Sequence, residues 1–177
     1  MTKTISLLLL SFCLMISWTI YVTANDKPRP YEEIYPEIGY KTVEEASDDF
    51  EQHFKQHLML PLRVPPISFT HHFGRFNDLD GDMNDSFEVK FINDKLSENH
   101  YIITVRPTKY KISIPEKYVI KAFELKNGNA ATYMKVAGFN VLVFECGDWQ
   151  YMLNIDERVS ITVPLEVLVD IAESIDY

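Results

Sequence analysis

Two dipeptides constrain this chain more than any other feature. Asn127-Gly128 lies between apolar-rich runs at 119–125 and 130–136, and Gly147-Asp148 lies between runs at 139–146 and 149–155. Gly and Asn reach the positive φ that tight turns demand, and β-branched and aromatic residues fill the flanks, so each dipeptide marks a β-hairpin. Asn127-Gly128 is expected to form a type I′ turn with both central residues at positive φ. Trp149, Tyr151, Leu153 and Ile155 fall on one face of their strand. The run 139–144 is apolar on both faces apart from Asn140, as a central strand should be.

Earlier in the chain, Ile67 to Phe73 reads as a strand. Phe87, Val89 and Phe91, then Tyr101, Ile103 and Val105, repeat with period two. Before Pro65-Pro66 the period is helical: Val43, Ala46, Phe50, Phe54 and Leu58 share one stripe. Thr42 and Glu45 stand in capping-box positions, acids crowd the first turns and Lys55 comes near the end, so a helix is expected over 43–58, stopped by Pro61. Val163-Pro164 opens a last helix with buried stripe Leu168, Ile171, Ala172 and Ile175. The fold class is therefore α+β: a largely antiparallel sheet of about six or seven strands, with an N-terminal and a C-terminal helix packed on it.

Three segments divide the chain. Residues 1–24 carry Lys3, then an apolar run, then Val22-Thr23-Ala24 with small residues where a signal peptidase reads. They are a signal peptide, or an N-terminal membrane anchor, since the run is long enough to span a bilayer. Phe12 before Cys13 is too bulky for a lipidation site. Residues 25–41, with three prolines and several tyrosines and acids, read as an extended leader. Residues 42–177 form a single domain. The location expected is extracytoplasmic, secreted or anchored at the outer face of the cytoplasmic membrane.

Charge and cysteine content narrow the function classes. The chain has 26 acidic and 17 basic side chains, a net charge of −9, and losing 1–24 removes only Lys3. Nucleic acid and anionic lipid are poor partners for such a chain. Cys146 is alone in residues 25–177, which precludes an intramolecular disulfide there and fits a bacterial exported protein. Glu145 and Asp148 flank it and oppose thiolate formation, so it reads as an inert thiol. Gly-x-Ser-x-Gly, Ser-x-x-Lys, phosphate-loop and dinucleotide motifs are absent from the sequence.

The stretch FTHHFGRFNDLDGDMND, 69–85, raises the question of a metal. Tested as an EF-hand loop, no register places oxygen ligands at 1, 3, 5 and 12 with glycine at 6: from Asp78 the sixth position is Met83 and the twelfth Val89. It reads as a solvated turn, with a non-standard calcium site on Asp78, Asp80, Asp82 and Asn84 as the alternative. His71 and His72 point to opposite faces of a strand. His53 and His57 are four apart on the expected helix, a spacing zinc sites use, but a third ligand is not identifiable. No metal, cofactor or catalytic residue is assigned.

One charge pattern stands out in this acidic chain. Arg106, Lys109, Lys111, Lys117 and Lys121 face a single acid, Glu116, with Tyr110 and Tyr118 between them. These seven residues are the candidate partner-binding strip, for an envelope protein or an anionic cell-wall polymer. The alternative is a solvated sheet edge guarded by lysines.

In the C-terminal third, Asn127-Gly128, Tyr133, Leu142-Val143-Phe144, Trp149-Gln150-Tyr151 and Ile171-Ala172-Glu173-Ser174-Ile175 together resemble an exported domain family of Gram-positive spore-forming bacteria. That domain also occurs in the outer parts of anti-sigma-factor-like membrane proteins. The resemblance covers about residues 125–175. It implies an extracytoplasmic module and carries over no catalytic residue. The expected function is a non-enzymatic sensing or protein-binding module at the cell envelope. The alternatives are a small envelope hydrolase using a carboxylate pair or a metal, and a calcium-dependent structural protein.

Overall fold

The computed structural model describes residues 28–79 and 81–175. Residues 1–24, the expected signal peptide or membrane anchor, and Asp80 of the aspartate stretch lie outside the described residues. The chain divides into two units, Met1–Pro30 and Tyr31–Tyr177, and every element below belongs to the second. No helix among the described residues is long and apolar enough to cross a membrane.

Seven strands form one antiparallel sheet: β1 His71–Asn77, β2 Ser86–Ile92, β3 His100–Pro107, β4 Val119–Glu124, β5 Ala130–Val136, β6 Phe139–Cys146 and β7 Trp149–Asp156. Their spatial order is β1-β2-β3-β7-β6-β5-β4. Helix α1 spans Tyr31–Glu37, α2 Val43–Phe54 and α3 Leu165–Ala172. The expected α+β class, with a helix from each end of the sequence on the sheet, is what the chain adopts.

Register explains which side chains meet. Phe87, Val105, Tyr151, Phe144, Ala131 and Phe123 lie abreast across six strands. Val89, Ile103, Leu153, Leu142 and Tyr133 form the next row. These rows make the main core with Phe50 of α2 and Leu168 and Ile171 of α3. Helix α2 approaches β1 so closely that a Cβ on Gly74 would come within 2.8–2.9 Å of Val43 Cα, Ala46 Cβ and the Thr42 carbonyl. Only glycine leaves room for that packing.

Four local expectations change. Helix α2 starts at its capping box, with Thr42 accepting from Glu45 N–H, but ends at Phe54 rather than residue 58. Lys55 turns left-handed at φ 55°, and the Glu51 side chain then accepts the Leu58 N–H at 2.8 Å. These contacts outweigh the apolar stripe and stop the helix well before Pro61. The first strand is His71–Asn77, four residues later than expected. At Asn127-Gly128 only Gly128 has positive φ, and Leu125 and Asn129 close a longer loop. The hairpin with two positive-φ central residues is instead Ala137-Gly138, at 50° and 83°.

The fourth change concerns the leader. Over Tyr31–Glu37 it is helical rather than extended. Its aromatic residues cover the far side of β1 and β2: Tyr35 stacks on Phe73 at 4.5 Å and Tyr31 meets His71 edge-on. Burying those rings against Phe73 outweighs the lack of an apolar period. Gly39 at φ 88° turns the chain back, and Lys41 pairs with Gly74 along the sheet edge.

Candidate functional site

The seven residues of the expected strip do not form one surface. After β3 the chain makes a short 3-10 turn, Thr108–Tyr110, and runs across the sheet face opposite α2 and α3. Ile112 is tied to Gln150 of β7 by a reciprocal pair of bonds, 2.8 and 3.1 Å. Ile114 packs beside Met134, Val141 and Val143. A second 3-10 turn, Glu116–Tyr118, leads into edge strand β4. Along this path Lys111 is bound by Glu145 at 2.7 Å. Arg106 is half-buried on β3, where burial lowers its guanidinium pKa. Lys121 sits over Phe123 on the side facing the helices. Lys117 lies over the Tyr118 ring.

Lys109 and Tyr110 are placed differently. They line a cleft of about 250 Å³ with Phe54, Gln56, Pro107, Thr108, Asp148 and Trp149. The floor is aromatic, because Phe54 at the end of α2 meets Trp149 edge-on at 5.4 Å. Gln56 donates to Asp148 Oδ2 at 3.1 Å and braces the hairpin wall. Thr108 fastens the strap to the same hairpin through the Asp148 carbonyl, 2.8 Å from its backbone nitrogen. The Lys109 ammonium stands 4.5 Å from the centre of the Tyr110 ring. An apolar floor with one cation and one phenol at the rim suits a protruding apolar side chain beside an acidic group.

A neighbouring cleft of about 250 Å³ contains His57 and Cys146 along with Gln56, Asp148 and Trp149. Cys146 is buried, burial pushes its thiol up, and Asn129 Nδ2 lies 3.3 Å from its sulfur. That environment suits an inert thiol, as the flanking acids suggested.

The structure separates the two helical histidines. His57 lies beyond the end of α2 and pairs with Glu51 at 2.7 Å. His53, in the last turn, sits 3.0 Å from Asp85 Oδ2, and Asp78 completes a cluster with them. The aspartate stretch is thus more than a solvated turn: Asp85, its last acid, is 1% exposed. Spacing could not reveal this trio, since His53 comes from another element. His71 and His72 do take opposite faces, one on Glu32 and the other over Phe91.

No family model matches the chain, and no curated protein or solved structure matches it.

Proposed function

We propose that this chain is an exported, non-enzymatic protein-binding module of the bacterial cell envelope. It holds its partner at the cleft edged by Lys109 and Tyr110. The carrying observation is the convergence of Lys109, Tyr110, Phe54 and Trp149 on one opening in an otherwise acidic molecule. The partner supplies an exposed segment with an apolar side chain for the aromatic floor and an acidic group toward the basic rim. Tyr118 and Ile120 are exposed at the β4 edge, outside the cleft lining. Such mixed aromatic and cationic patches carry most binding energy at interfaces. The apolar run after Lys3, closed by Val22-Thr23-Ala24, supports export.

The test is retention of envelope proteins on immobilised full-length chain across a salt series. Retention should fall with salt and be lost in Lys109→Glu, while Lys121→Glu, on edge strand β4 and outside the cleft lining, retains wild-type binding. Equal retention by wild type and Lys109→Glu would sink this reading. Retention of purified wall polymer alone would replace the protein partner with an anionic polymer.

A further inference from the structure

We infer that His53, Asp78 and Asp85 form a binding site for one divalent cation of the zinc or manganese class. The three side chains come from the last turn of α2 and from the connection between β1 and β2. One donor atom from each lies within 4.8 Å of the other two. A tetrahedral zinc ion with bonds of about 2.0–2.1 Å holds its ligands roughly 3.3 Å apart, so small side-chain rotations close the site. His53 Nε2 and Asp85 Oδ2, at 3.0 Å, are already near that spacing.

Asp85 supplies an independent sign. Its side chain is 1% exposed, and Oδ1 accepts the Leu79 N–H at 2.9 Å. Among the described residues Oδ2 accepts no hydrogen bond, and its one charged neighbour is the His53 ring at 3.0 Å, an ion pair only when that ring is protonated. A buried carboxylate oxygen beside a neutral imidazole is costly, because nothing there balances its charge. A cation on Oδ2 removes the cost. His53 would then offer Nε2 as a lone pair rather than an N–H.

The donor set selects the ion. Calcium and magnesium take oxygen ligands and many of them, whereas one imidazole with two carboxylates suits zinc or manganese. His53 and Asp78 are on the surface, which gives the ion an entry path and leaves room for water as a further ligand. Bound there, the ion fastens the end of α2 to the β1–β2 connection. This site is independent of the partner cleft and uses none of its residues.

The experiment is thermal unfolding of the full-length chain in mild detergent, stripped by chelator, with zinc, manganese or calcium chloride added back. Zinc or manganese should raise the midpoint by several degrees at saturation, and titration calorimetry should count one ion per chain. His53→Gln and Asp78→Asn, both at the surface, should each abolish the rise. Asp85→Asn keeps the Oδ1 acceptor for Leu79, so its metal-free midpoint should equal or exceed wild type while its metal response is lost. No rise with zinc or manganese overturns the inference. So does a rise that survives all three variants, or a response to calcium alone.

Discussion

The two faces of the sheet are covered in different ways. Under α2 and α3 one continuous core runs from Phe50 and Phe87 to Leu168 and Ile175. The opposite face has two separate covers. Helix α1 and Tyr40 lie over β1 and β2, where Arg75 and Lys90 sit against the Tyr40 ring and Glu88 accepts its hydroxyl. The strap after β3 puts Ile114 over a small cluster of Met134, Val141 and Val143. An amphipathic helix needs an apolar sheet beneath its whole length, whereas a strap needs apolar residues only where it touches. The first face therefore sets stability. The second can carry polar groups at little cost, and the partner cleft opens where the start of its strap meets Phe54 at the end of α2 and Trp149.

That contrast predicts a graded set of losses in chemical denaturation. Phe50→Ala, which empties the contacts of Phe50 with Phe54, Phe76, Phe87 and Trp149, should cost about 3–5 kcal/mol. Gly74→Ala forces α2 away from β1 and should cost about 1–3 kcal/mol. Ile114→Ala, on the strap, should cost only about 1 kcal/mol, because that side chain is half-buried. A loss at Ile114 equal to that at Phe50 would break the distinction between the faces.

His100 sharpens the comparison through pH. Its ring lies against Phe139 on the strap side, and Nε2 is buried without a hydrogen bond. Burial first, then nearby Lys90, holds its pKa below the ordinary 6.5. The unfolded chain therefore takes up the proton first as pH falls. Any stability from a neutral His100 is full above pH 6.5 and declines as pH drops through that value toward the folded pKa. Urea midpoints measured from pH 7.5 to 5 should fall more in wild type than in His100→Gln. Smallest of all, Lys109→Glu should change stability by no more than about 0.5 kcal/mol, since the residue sits at a surface rim.

Legibility from sequence followed the same division. Period-two runs such as Phe87-Val89-Phe91 and Tyr101-Ile103-Val105 announce the helix-packed face, because one buried face demands alternation. The capping box at Thr42 and Glu45 was equally readable, since it is local. Helix α1 was not: its rings find their partners on β1, which no spacing within 25–41 reveals. The end of α2 was misjudged because Glu51 and Lys55 act through contacts that interrupt a good stripe. The basic strip was half legible. Charge density pointed to the segment 106–121, but only folding sends Lys109 and Tyr110 to the cleft, pairs Lys111 with Glu145 and puts Lys121 on edge strand β4 outside the cleft lining. The trio His53, Asp78 and Asp85 depends on a helix meeting a hairpin loop and left no pattern in the sequence.

The most direct measurement is site-specific photo-crosslinking in envelope-containing cells, with the reactive side chain placed at Tyr110 or at Ile120. The account predicts a protein adduct from Tyr110 that disappears when Lys109→Glu is added. An adduct from Ile120 alone, or one from Tyr110 that is indifferent to Lys109, would contradict it.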